Sequence, residues 1–127
     1  MYINLKPSVV MNVTPEAAVM LGWIKAKWER AELGEFTVTS AKDGSHAGGS
    51  QHKQDKPEDE PGEAFDIRTR HLWNQETDIH DPRLIDFARW LQQAGFRVIV
   101  HRDWMRQLDV PPHLHVGVGQ SIFRRVE

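Results

Sequence analysis

Two segments of the chain repeat apolar residues at the three- and four-residue spacing of an amphipathic helix. The first begins at Thr14-Pro15-Glu16, where a hydroxyl N-cap, a proline at the first helical position and an acid in the first turn favour helix initiation. Gly34 is placed to end this helix. Its apolar positions are Ala17, Leu21, Ile24, Trp28 and Ala31.

The second helix is predicted to begin at Asp81-Pro82, with Asp81 as the cap and Pro82 at the first helical position. Gly95 is expected to terminate it. Its apolar stripe consists of Leu84, Phe87, Ala88, Leu91 and Ala94.

Other segments have the composition and alternation of strands. Residues 2–13 predict a short strand or an extended arm, and the stronger strand candidates are residues 35–40, 64–69, 96–101 and 113–118. The last two are rich in β-branched residues, which favours an antiparallel hairpin with a long loop. The pattern as a whole therefore predicts an α+β fold, a small antiparallel sheet packed with two main helices.

Polar side chains alternate with apolar ones on two of these strands. Phe65 and Ile67 are expected to face the core, so that Asp66 points to the opposite side of the sheet. On the last strand His113 and His115 share one face, because strand side chains repeat every two residues. This pattern indicates a site built on one face of the sheet.

A purely structural interpretation of the same residues remains open. Asp66 would then cap a helix or form a salt bridge with Arg68 or Arg70, and the two histidines would lie on an exposed edge.

The composition is that of a soluble globular protein, and residues 1–127 are expected to form one domain. The formal net charge of −2 argues against a nucleic-acid-binding surface. Neither a signal peptide nor a membrane span is evident. The chain contains no cysteine, so any metal site must use His, Asp and Glu.

Three short motifs occur in a fixed order: Ser50-x-His52, then Gly62-x-Ala64-x-Asp66, and finally His113-x-His115. The order resembles that of the zinc D,D-peptidases of bacterial cell-wall metabolism, which include D-alanyl-D-alanine carboxypeptidases, the vancomycin-resistance D,D-peptidases and some phage endolysins. The similarity extends from about Thr37 to Val118.

The resemblance implies a hedgehog/D,D-peptidase-like fold and a Zn²⁺ cofactor held by His52, Asp66 and His115. Imidazole and carboxylate donors suit zinc, and three protein ligands with one open position are typical of a catalytic site. The implied activity is hydrolysis of peptide bonds adjacent to D-amino acids in peptidoglycan, as a carboxypeptidase or an endolysin-type endopeptidase. The substrate would be a peptidoglycan stem peptide or a D-Ala-D-Ala-like peptide.

The resemblance also implies roles for residues around the metal. His113 would stabilise the oxyanion of the tetrahedral intermediate, and Ser50 and His46 would contribute to the substrate pocket. The general base has two carboxylate candidates, and His101 is a further candidate, because Pro112 occupies the position of the family's acid. Alignment from the preceding strand indicates Asp103, whereas Asp109 is the carboxylate nearest to the histidines.

The segment Lys53–Pro61 is longer than the family's spacer, and its acidic, proline-containing composition predicts a mobile insertion. Without a signal peptide, the protein is expected to reach the wall by release through a phage-encoded pore or on a phage particle, as a monomer.

Two other classes of function remain open. One is a catalytically inactive zinc-binding or virion module on the same fold, and the other is an interaction domain whose histidines bind no metal.

Overall fold

A computed structural model describes residues 2–42, 61–74, 76–77, 79–101 and 112–119. The helices are α1 (Pro15–Arg30) and α2 (Pro82–Gln93), with a 3₁₀ turn at Arg70–Leu72. The strands are β1 (Asn4–Leu5), β2 (Thr37–Ser40), β3 (Ala64–Arg68), β4 (Trp73–Asn74), β5 (Ile79–His80), β6 (Arg97–His101) and β7 (His113–Gly117). The predicted α+β class with two main helices is confirmed.

Five of the strands form one sheet in the order β1-β2-β3-β7-β6, and β4 pairs with β5 separately. The prediction of an antiparallel sheet is correct for β2, β3, β7 and β6 but wrong for β1, which runs parallel to β2. The physical reason is the crossover through α1, since a helix between two neighbouring strands returns the chain in the same direction. The sheet is therefore mixed.

One face of the sheet packs against both helices. Phe65 and Ile67 of β3 and Leu114 and Val116 of β7 are fully buried there. They belong to one apolar cluster with the buried positions of the helices, which are Ala17, Met20, Leu21, Ile24, Trp28, Leu84, Phe87, Ala88 and Leu91. The alternation predicted for β3 and β7 is thus observed, and the polar residues between these positions lie on the opposite face.

Both helices begin where the sequence predicts. The Thr14 hydroxyl accepts a hydrogen bond from the Ala17 amide at 3.1 Å, and an Asp81 carboxylate oxygen accepts one from the Arg83 amide at 2.9 Å. These bonds satisfy amides that have no partner within the helix.

The predicted end of α2 is confirmed, whereas that of α1 is wrong. After α2, Gly95 takes the left-handed conformation (φ 99°). α1 ends at Arg30, and the left-handed residue after it is Glu32 (φ 55°) rather than Gly34. The Glu32 amide donates to the Glu29 carbonyl at 3.0 Å and the Leu33 amide to the Trp28 carbonyl at 3.4 Å. This pair of bonds is a Schellman motif, and it compensates for the left-handed backbone of a residue with a side chain.

Gly34 has a different role in the turn that follows α1. It is also left-handed (φ 84°), and a Cβ atom there would lie 3.3 Å from the His71 ring. The ring in turn hydrogen-bonds the Leu33 carbonyl at 2.8 Å. Gly34 thus permits the close approach that joins this turn to the 3₁₀ turn.

The segment before α1 connects two distant parts of the chain. The Lys42 amide donates to the Val10 carbonyl at 3.0 Å, and the Gly62 amide donates to the Asn12 carbonyl at 2.8 Å. The Thr14 amide donates back to the Gly62 carbonyl at 3.0 Å. The extended arm predicted for residues 2–13 therefore holds the chain both before and after residues 43–60.

Within the described residues, neither helix has the length and apolar character that a bilayer crossing requires.

We expect Glu32→Gly to stabilise the fold, because glycine adopts the left-handed conformation without steric cost. After subtracting the extra entropy of glycine in the unfolded chain, the gain should be about 0.5–1 kcal/mol, or roughly 2–4 °C in Tm. Differential scanning calorimetry measures this shift. Glu32→Ala is the matched control, since it removes the same carboxylate but retains a Cβ atom, and an equal shift in both variants would contradict the explanation.

Candidate functional site

The register of β3 and β7 brings an aspartate and a histidine together on the face away from the helices. Asp66 pairs directly with His115, and Arg68 pairs with His113. The Val118 amide, just beyond β7, donates to the Glu63 carbonyl at 2.9 Å. Hydrogen-bonded and non-hydrogen-bonded pairs alternate in an antiparallel ladder, so Asp66 and His115 form a non-hydrogen-bonded pair. Side chains approach most closely in such pairs.

The two side chains are in direct contact. His115 Nδ1 lies 3.0 Å from Asp66 Oδ1, within hydrogen-bonding distance. His113 Nε2 lies 3.8 Å from the other carboxylate oxygen, Oδ2. The Asp66 carboxylate therefore faces a different imidazole with each of its oxygens.

The cluster is largely enclosed. The side chains of Asp66, His113 and His115 are 9%, 16% and 14% exposed, respectively. A buried carboxylate requires polar partners, and the imidazoles supply them. The adjacent strand β2 contributes a further polar contact to this part of β3, because the Thr39 hydroxyl donates to the Asp66 carbonyl at 3.4 Å.

The spacing of the two donor atoms suits a metal ion. Two ligands that bind zinc at about 2.0–2.1 Å in tetrahedral geometry are about 3.3 Å apart. The 3.0 Å between Asp66 Oδ1 and His115 Nδ1 is close to that separation, and both atoms face the same side of the sheet. These two residues fit the predicted zinc site.

The other predicted site residues lie outside the described part of the chain. They are the third ligand His52, the pocket residues Ser50 and His46, and the general-base candidates Asp103 and Asp109. Residues 53–60 of the predicted insertion also lie outside the described part. Among the residues that the structure does describe, no group of three or more His, Cys, Asp or Glu side chains is arranged to hold a metal ion. The described cluster thus contains two of the three predicted ligands together with His113.

Arg68 is also a residue of this face, and the sequence alone assigned it no functional role. Its place opposite His113 brings a guanidinium-bearing residue to the same face. The alternation of β3 is the signal that indicates it, since Arg68 follows Asp66 by two residues.

Two surface clefts in the described part of the chain lie elsewhere. One, of about 540 Å³, is lined by Tyr2, Asn4, Glu29, Glu32, Gly34, Glu35 and Phe36. The other, of about 440 Å³, is lined by His71, Leu72, Trp73, Asn74, Thr77, His80, Asp81 and Pro82. Neither contains the Asp66 cluster. We base the candidate site on the cluster because converging donor atoms specify a chemistry and a cleft volume alone does not.

No family model, curated protein or solved structure matches this chain. The assignment of a function therefore depends on the order of the motifs and on the geometry of the cluster.

We expect Asp66 and His115 to be energetically coupled in the metal-free protein. A double-mutant cycle with Asp66→Asn and His115→Gln, measured by urea unfolding in the presence of a chelator, should give about 1–3 kcal/mol for this enclosed hydrogen bond. The control cycle combines Asp66→Asn with His71→Gln, which should be additive within about 0.5 kcal/mol. A coupling energy near zero for Asp66 and His115 would contradict the observed contact.

Proposed function

We propose that this chain is a zinc-dependent peptidase that hydrolyses peptide bonds adjacent to D-amino acids in peptidoglycan. The observation that carries the proposal is the contact between Asp66 Oδ1 and His115 Nδ1 at 3.0 Å, on a sheet face with a second imidazole beside it. The resemblance to the D,D-peptidases assigns metal-binding roles to the same two residues.

His52, Asp66 and His115 would hold the zinc ion. When bound, zinc would act as a Lewis acid toward the scissile carbonyl and would activate a water molecule for attack. In the metal-free protein the Asp66 carboxylate accepts a hydrogen bond from His115 Nδ1, which orients the imidazole on β7. Zinc bound between the two atoms would take the place of that proton.

His113 is the proposed stabiliser of the developing oxyanion. It lies two residues from His115 on the same strand, so its ring faces the same side of the sheet. Its side chain is enclosed, and a hydrogen-bond donor is more effective in such an environment than in bulk water.

A carboxylate must take a proton from the attacking water and deliver it to the leaving amine. Pro112 is buried next to β7, and it has no group that can perform this transfer. Asp103 and Asp109 are the two carboxylate candidates for this role, and His101 is the alternative.

The buried Pro112 also favours a second function, a zinc-binding module without catalysis. Such a module would retain the three ligands and the fold, and it would serve as a wall-binding or virion component.

Zinc content tests the site directly. Protein purified without a histidine tag should contain about one zinc per chain, and His52→Ala, Asp66→Ala and His115→Ala should each lose nearly all of it. His71→Gln is the matched control, because His71 hydrogen-bonds the Leu33 carbonyl away from the cluster and its loss should leave the zinc content unchanged. Wild-type protein that takes up no zinc from an excess would exclude the peptidase.

Separate Asp103→Asn and Asp109→Asn variants distinguish the enzyme from the inactive module. If the chain is a peptidase, one variant should digest peptidoglycan about 10²–10⁴-fold more slowly at unchanged zinc content. Zinc-loaded wild-type protein that releases no peptide fragments would instead identify the module.

A further inference from the structure

The edge of the sheet at β6 presents backbone hydrogen-bonding groups to its surroundings. Among the strands that the structure describes, β6 is the terminal one of this sheet, next to β7. The Val118 amide bonds to the Glu63 carbonyl, so the even-numbered residues of β7 direct their backbone N–H and C=O groups toward β3. The backbone groups of the odd-numbered residues of β7 therefore bond to β6. The partners of these odd-numbered residues are Arg97, Ile99 and His101. Val98 and Val100 therefore direct their N–H and C=O groups away from the sheet.

A side-chain amide already occupies one of these groups. The Gln92 carboxamide donates to the Val98 carbonyl at 3.3 Å. An amide N–H is also what a neighbouring strand would offer to this carbonyl. The contact thus shows that the Val98 carbonyl accepts an amide donor from outside the sheet.

The centre of β6 carries no charged side chain that would protect this edge. Residues 98–100 include no lysine, acid or proline, which commonly prevent pairing at sheet edges, and the charged Arg97 lies at the start of the strand. Ile99 is 48% exposed on the face that carries Asp66 and His115. A β-branched strand of this kind pairs favourably with another strand.

We propose that β6 is a dimerisation strand that pairs antiparallel with β6 of a second copy of this chain, about a two-fold axis at Ile99. This register places Val98 opposite Val100 of the second copy. The N–H and C=O groups of Val98 and Val100 in each copy are then all paired, after Gln92 is displaced from the Val98 carbonyl. It also places Arg97 opposite the His101 position, so no two arginines face each other. The proposed dimer differs from the monomer expected from the sequence.

The arrangement joins the two sheets into one. The two-fold axis is perpendicular to the sheet, so the Asp66–His115 pairs of both copies lie on the same face. Their β7 strands are separated by three strand spacings, about 14 Å. The two clusters would therefore lie on one continuous face of the dimer.

Sedimentation equilibrium of the wild-type chain and two lysine variants tests the dimer. Ile99→Lys should raise the dimer dissociation constant at least about tenfold, because it places two cations opposite each other. Val19→Lys is the matched control: Val19 is 51% exposed on α1, and the variant should dimerise normally. A wild-type chain that remains monomeric at all concentrations, or a dimer weakened by Val19→Lys and not by Ile99→Lys, would overturn the proposal.

Covalent trapping provides a second test, which does not depend on whether the Ile99→Lys variant folds. The chain has no cysteine, so Ile99→Cys introduces a single thiol. In the proposed register the two Ile99 positions form a non-hydrogen-bonded pair with Cα atoms about 4.5 Å apart, within the range of a disulfide. Mild oxidation should give a covalent dimer of Ile99→Cys chains and not of Val19→Cys chains, and equal yields from the two variants would contradict the pairing.

Discussion

The pairing of β3 with β7 is the constraint on which both the core and the candidate site depend. The same register that places Phe65 and Leu114 in the apolar interior places Asp66 opposite His115 on the other face. Because side chains alternate along a strand, a slip by one residue would expose the apolar set and bury the charged one. Hydrophobic burial thus selects the register, and the contact between donor atoms is its consequence. The polar cluster does not have to specify its own geometry.

Much of this arrangement could be predicted because the signals are local. Thr14-Pro15 and Asp81-Pro82 mark helix starts through capping chemistry within three residues, and both starts were correct. Alternation along residues 113–118 was sufficient to assign His113 and His115 to one face. The proximity of Asp66 followed from three motifs in order, and its direct partner became evident only from the strand register.

The features that were missed depend on interactions between distant parts of the chain. β1 has two residues and no pattern that distinguishes parallel from antiparallel pairing, and its direction follows from the crossover through α1. Glycine is the residue type that most often ends a helix, yet the left-handed residue that directly follows α1 is Glu32 and not Gly34. The packing of Gly34 against the His71 ring, nearly forty residues later, explains where the glycine is required. Propensity at a single position cannot report such a contact.

The anchoring of Lys42 and Gly62 by the arm before α1 bears on how this chain could have diverged in length. Both ends of the intervening segment are held by backbone hydrogen bonds to Val10 and Asn12, so its two attachment points are independent of the number of residues between them. For an unstructured connection, doubling that number costs only about 0.6 kcal/mol in closure entropy. An unstructured insertion between Lys42 and Gly62 is therefore expected to leave β3 and Asp66 in place.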